Sequence, residues 1–476
     1  MKFCTKTVYK VTPSERGVPF QYIATFVGSI VIVVTGMLFG WATPSLPQLL
    51  DPKSEIKMST SDGSWMAVMP CIGAVIGCFL AAKIVDNIGR KKSMLLVSPL
   101  YFIAWIMIAY SGSKYIFHAA RILSGIADGI AFTTFPMYLG EIADSKIRGL
   151  LCSSIPITTV LGFMLIAIVG SMYSIKDAAL ISSVLPIVHF VLFSFMPESP
   201  YYLLMKNKPE QAQKSLIKLR GYQNVSEELE RFTKSVKEDE ENKGSIWDLF
   251  SVESNRKGVY IVVGLRGLQQ FCGPMVITFY ATIIFNESKS DLSSTTCTSI
   301  YFGIQVVCSI ICSCLVDKIG RRPLLILSTI GSCIALAVQG GYFYIKDTTD
   351  YELKEYTWVP VAALLTYDVL FNLGIGTIPV MMLGELFPTS VKAFALCLAD
   401  IYFGVVVIIA TKFFQIMNDN MGMSIPFFVF SGCSAIALVY TVFCIPETKG
   451  KTLEEIQDYF KGIDKKQNVD IERTKI

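Results

Sequence analysis

The sequence predicts an all-α membrane protein: twelve transmembrane helices in two pseudo-symmetric six-helix bundles, joined by a cytoplasmic helical linker. Three observations carry that prediction. The chain of 476 residues is 52% hydrophobic and 17% charged, with a mean hydropathy of +0.51, more apolar and less charged than an ordinary soluble domain. It holds about twelve apolar stretches near the roughly 20 residues that a helix needs to cross about 30 Å of hydrocarbon, where no water satisfies free backbone amides. Three charged motifs also return, in the same order, in the second half of the chain.

The first stretch, 20–43, is too long for a signal-peptide core and follows mostly polar residues without a cleavage-like site, so it reads as a retained helix. Residues 1–19 then form a cytoplasmic N-terminus. Stretches at 63–85, 93–111, 115–140, 149–172 and 178–196 complete an N-terminal bundle over 20–198. Residues 199–256 are polar, and Leu204, Ala212, Leu216 and Leu219 give them partial helical periodicity, which predicts the linker. The stretches 257–285, 295–316, 323–345, 358–384, 391–415 and 423–445 build a second bundle over 257–446, and 447–476 is a cytoplasmic tail. Even-numbered loops carry Arg90, Lys91, Lys92, Arg148, Arg321, Arg322 and Lys392, whereas odd-numbered loops mix signs. Positive residues favour the cytoplasmic side, so both termini are expected inside.

Several function classes find no support. GxxxxGK[ST] does not occur, the two histidines have no ligand company, and most of the 13 cysteines lie in apolar runs where a thiol behaves as a small hydrophobe. No cofactor, no metal site and no enzymatic centre is therefore expected. The net charge of +4 is modest and does not point to nucleic acid.

The repeated motifs are the first functional candidates. Asp86-Asn87-Ile88-Gly89-Arg90 returns as Asp317-Lys318-Ile319-Gly320-Arg321; Gly140-Glu141 with Arg148 returns as Gly384-Glu385 with Lys392; Pro197-Glu198-Ser199 returns as Pro446-Glu447-Thr448. This order marks a duplicated six-helix unit, an organisation that lets two bundles rock about a central site. The glycines permit tight turns between antiparallel helices. Arg90 and Arg321 are expected to pair with Glu141 and Glu385, and Glu198 and Glu447 to face Arg148 and Lys392. Such pairs would latch the bundles together on the cytoplasmic side and part when that side opens.

The ordered set Arg121-x3-Gly125, PMYLGEIADSKIRG at 136–149, PESP at 197–200, Gln269-Gln270-Phe271, DKIGRR, Gly384-Glu385-Leu386-Phe387-Pro388 and PETKG at 446–450 resembles the sugar porters of the major facilitator superfamily. Through QYIATFVGS at 21–29, GWATPSLPQL at 40–49 and Thr411-Lys412-x-Phe414, it is most similar to insect facilitated trehalose and hexose transporters. The resemblance covers nearly the whole chain. It implies a central cavity whose polar side chains hydrogen-bond sugar hydroxyls: Gln269 and Gln270 on the seventh helix, Gln305 on the eighth, Asn372 on the tenth, and Tyr280 as an aromatic closing the outer end. It also implies alternating access in the plasma membrane, with a small sugar and the lipid bilayer as partners and a monomer as the unit.

This chain departs from the family pattern at Pro156, Met275, Val380 and Phe403-Gly404, apolar where the family has polar or tryptophan positions, and at Tyr201 in place of arginine. Ala42 stands where proton-coupled relatives carry an acid, which points to facilitated diffusion. Asp128, Asp368 and Asp400 fall inside apolar stretches, and Asp128 and Asp400 are possible coupling residues. Two alternatives stay open: a proton-coupled symporter of another polar solute, and a non-transporting sensor or receptor on the same scaffold.

Overall fold

The computed structural model describes residues 18–54, 56–144, 147–241, 245–288, 292–349, 353–449 and 453–460. The expectations for residues 1–17 and 461–476 lie outside them. Eleven helices among the described residues are long and apolar enough to cross a membrane, from Phe20–Leu49 to Ser424–Cys444, and a twelfth apolar helix, Val359–Asn372, is short.

The short helix has a local cause. The stretch expected to run unbroken over 358–384 splits into Val359–Asn372 and Ile378–Leu386 around a turn at 373–377. Gly374 packs so near the ninth span that a Cβ there would stand 2.5 Å from the Leu324 carbonyl oxygen. Pro379 then opens the second piece, where a missing N–H costs nothing. The seventh span is also broken, into Glu253–Phe271 and Pro274–Ser288 at Gly273, whose φ is +88°. The first span bends at Trp41, between Val18–Gly40 and Ala42–Leu49.

Small residues set the packing of the N-terminal half. A Cβ on Gly125 of the fourth span would lie 2.2 Å from the Pro70 carbonyl oxygen of the second, and one on Gly36 of the first would lie 2.1 Å from the Thr159 oxygen of the fifth. Lipid offers no hydrophobic drive to pair helices, so close backbone approach supplies the dispersion contacts instead.

The linker folds into helices Pro200–Met205, Pro209–Arg220, Ser226–Glu241 and Asp248–Ser251. Arg220 docks it on the N-terminal half. Its Nε and Nη2 donate to the Glu228 carboxylate at 2.7–3.1 Å, and its Nη1 donates to the Ile142 carbonyl at the end of the fourth span at 2.8 Å. Gln21 of the first span adds a bond to the Leu219 carbonyl.

Candidate functional site: a cleft between the halves

The two halves meet at the ends of their spans remote from the charged turns, termed outer here, the ends that carry the charged turns being termed inner. Thr43 donates to the Thr278 carbonyl at 2.6 Å, Thr60 to Asp419 at 2.8 Å and Ser64 to Gln415 at 3.2 Å. Lys412 Nζ donates to Ser64 Oγ at 2.6 Å and stands 4.2 Å from the Trp65 ring centre. Phe39 packs on Phe279 and Phe163 on Phe302 across the same boundary. These cross-half contacts lie at the ends of the spans opposite the charged turns.

Tyr280 belongs to this outer closure. Its ring lies 5.1 Å from that of Phe414, its hydroxyl is buried without a partner, and it lines a small apolar cavity with Leu46, Ser64 and Phe414. Further in, the polar residues of the seventh, eighth and tenth spans differ in what they are free to do. Gln269 Nε2 donates to the Ile375 and Gly376 carbonyls at 2.7 and 2.9 Å, and its Oε1 accepts from Arg266 Nη1 at 3.0 Å. Its amide thus satisfies carbonyls released by the break in the tenth span. Asn372 is similarly engaged, donating to the Asp368 carbonyl and carboxylate at 2.8 and 2.9 Å. Gln270 and Gln305 each keep a buried amide oxygen without a hydrogen-bond partner.

At the inner end of the N-terminal half, Arg90 is nearly fully buried and gathers the expected carboxylates. Its Nε and Nη2 stand 3.0 and 2.9 Å from Glu141 Oε1, and its Nη1 stands 3.4 Å from Asp86. Ser199 donates to the other Glu141 oxygen, and the Tyr202 ring lies under the guanidinium at 5.3 Å. All these partners belong to the N-terminal half or the linker beside it. These contacts of Arg90 thus brace one half rather than reach across to the other. Glu198 likewise does not face Arg148, which is exposed; its Oε1 accepts from the Lys91 and Ser199 backbone N–H groups at 3.0 and 2.9 Å. Burial pushes this carboxyl above its ordinary pKa, against those backbone bonds.

The C-terminal half repeats the turn. Gly89 and Gly320 have φ values of +98° and +110°, and Arg321 Nη1 donates to the Val316 carbonyl as Arg90 Nη1 donates to that of Val85. Glu447 accepts from the backbone N–H groups of Arg321, Arg322 and Lys449 at 3.1, 3.0 and 2.9 Å. The side chains of Asp317 and Glu385 lie outside the described residues. Lys392 is partly buried near the start of the eleventh span.

Two arginines gain roles the sequence reading had not given them. Arg121, noted only as part of a motif, reaches the break in the first span: it donates to the Leu38 carbonyl, to the Phe39 carbonyl at 3.4 Å and to the Met66 carbonyl at 3.2 Å. Arg266 was missed altogether, although a lone cation inside VVGLRGLQQF is the kind of costly intramembrane charge that marks a site. It is buried, stacks 4.7 Å from the Phe403 ring centre, and stands 3.4 Å from Asp400 Oδ1. Asp128 is buried against the Tyr101 hydroxyl at 2.6 Å, which in turn meets Thr35.

Residues 20–460 match the family described as "Sugar (and other) transporter". The chain is 30% identical over 460 residues to the facilitated trehalose transporter Tret1 of Polypedilum vanderplanki, covering 96% of this chain and 91% of that protein. It is 28% identical to Tret1 of Apis mellifera ligustica, covering 93% and 89%. Against the Aedes aegypti protein of that name, at 29% identity, it spans 57% of the relative's length. Among solved structures it is similar to the xylose transporter XylE from E. coli in partially occluded inward-open and inward-open conformations. Their TM-scores are 0.77 and 0.76, at 22% identity, covering 91% and 92% of this chain and all of those chains.

Proposed function

The chain belongs to the sugar (and other) transporter family, and on that premise we propose that it carries a neutral sugar, trehalose-like or glucose-like, by facilitated diffusion through alternating access. The observation that supports the reading is the pair of buried, unpartnered amide oxygens of Gln270 and Gln305 on the seventh and eighth spans, in a molecule whose halves are bonded together at their outer ends. A buried acceptor without a donor is costly, and a solute rich in hydroxyls supplies the donor. The absence of any acid between Phe20 and Leu50 favours passive carriage. The protein works at the plasma membrane as a monomer with both termini cytoplasmic, and the inner charge clusters hold the end of each half rigid while the cleft opens and closes.

Gln270→Leu removes the free acceptor at similar volume and is expected to weaken solute binding by about 1–3 kcal/mol. Uptake of labelled trehalose or glucose at low concentration then falls about fivefold or more, with surface delivery unchanged. Wild-type uptake stops when the inner concentration reaches the outer one. Uptake indifferent to Gln270→Leu would remove the basis of this reading. A second reading, proton-coupled symport, rests on Asp128, a buried carboxylate with one oxygen unpartnered; accumulation above the external level under an inward proton gradient would favour it.

A further inference from the structure

Asp400 of the eleventh span and Arg266 of the seventh form a charge pair inside the C-terminal half. Arg266 is fixed on three sides, by the Phe403 ring at 4.7 Å, by Gln269 Oε1 at 3.0 Å and by surrounding helices that leave its side chain 7% exposed. Asp400 leaves 47% of its side chain exposed and touches the arginine through Oδ1 alone, at 3.4 Å. Its span packs against the second span of the other half. Gly404, one helical turn further along the same face, would place a Cβ 3.5 Å from the Cys71 carbonyl oxygen and from Val75 of the second span. Arg266 Nε remains a buried donor without an acceptor.

We propose that Asp400, oriented by Arg266, is a substrate-contacting carboxylate that selects neutral solutes bearing adjacent hydroxyls. This rests on the sugar reading above and deepens it. A carboxylate only accepts, so two neighbouring hydroxyls can each donate to one of its oxygens, while the guanidinium neutralises it and holds its plane. A sugar acid would bring a second negative charge beside Asp400 and be rejected. The amide of Gln269, through Arg266, links this carboxylate to the break in the tenth span, so the contact sits beside Gln270 rather than apart from it.

The test uses the full chain in proteoliposomes, with labelled glucose and the series of monodeoxyglucoses as competitors. Asp400→Asn keeps the shape and an oxygen for Arg266; Asp400→Glu checks that charge without geometry does not suffice. Asp400→Asn is expected to raise the KM for glucose about tenfold or more while leaving the maximal rate near wild type. Two adjacent deoxy positions that cost the wild type affinity should cost the variant nothing, which identifies the hydroxyls. Deoxy penalties unchanged in the variant would make Asp400 a structural ion pair and overturn the proposal. Wild-type vesicles that carry no monosaccharide or disaccharide would sink the sugar reading itself, and this inference with it. Proton-driven accumulation abolished by Asp400→Asn would reassign the carboxylate to coupling and overturn the contact.

Discussion

At the inner end of the N-terminal half, Glu141 depends on the side chain of one buried arginine, with Glu198 beside it on the N-terminus of the third span. At the matching end of the C-terminal half, Glu447 leans on backbone N–H groups of Arg321, Arg322 and Lys449. The two carboxylates that cap equivalent helices respond oppositely. Burial holds Glu198 above the ordinary carboxyl pKa; burial also acts on Glu447, but its backbone donors outweigh it and the pKa falls. A repeated sequence therefore fixes the path of the turn without fixing its electrostatics. Those depend on what covers each copy, and the linker helix Pro200–Met205 covers the first.

Breaking the N-terminal cluster should have the largest effect. Arg90→Ala leaves Glu141 without its cation in a site shielded from water, and a buried pair stripped of one partner costs about 3–5 kcal/mol. Thermal melting of the detergent-purified variant should drop accordingly, and Arg90→Ala combined with Glu141→Gln should recover part of the loss. Full stability in Arg90→Ala would show that the two clusters are alike after all.

A smaller effect sharpens the contrast at the turns themselves. Gly89 and Gly320 both occupy a region of backbone space that is nearly glycine-only, so alanine at either costs about 1–3 kcal/mol. Gly89→Ala should be the worse of the two. Its Cβ would meet Glu198 at 2.4 Å and the Tyr202 ring at 2.7 Å, whereas that of Gly320 meets only the Glu447 carboxylate, at 2.9 Å. Equal melting temperatures would remove the crowding argument.

How much of this was legible follows from which signals are local. The turn at Gly89 and Gly320 was readable because glycine before arginine between apolar runs is a short-range pattern. The alliance of Arg90 with Glu141 was readable as a pair but not as a brace within one half, since spacing along the chain does not say which helices pack together. Gly374, Gly376 and Pro379 signalled the break in the tenth span, yet mean hydropathy across 358–384 hid it. The role of Gln269 depends on that break, so it could not be told from Gln270 by sequence.

The least effect concerns acid. Glu198 has a raised pKa, so what it adds to stability is full below the ordinary carboxyl value and is lost as pH rises through its folded value. Glu447 has a lowered pKa, so its contribution is present above the ordinary value and lost as pH falls through the folded one. At neutral pH Glu447→Gln should therefore destabilise more than Glu198→Gln, and the gap should narrow on acidification. Melting curves of both variants from neutral to acid pH read this directly, and a gap that widens would reverse the assignment.

The break in the tenth span has a mechanical side. Ile375 and Gly376 offer carbonyls at the break, and Gln269 of the seventh span holds both; Arg121 of the fourth span reaches the Leu38 and Phe39 carbonyls beside the bend of the first, the former shared with the Trp41 N–H. Each bent helix thus has a joint whose pin is supplied by its neighbour. A piece of the tenth span that swings about Gly376 must either break the two bonds to Gln269 or carry that side chain with it, so the break is tied to the seventh span rather than left as a frayed turn.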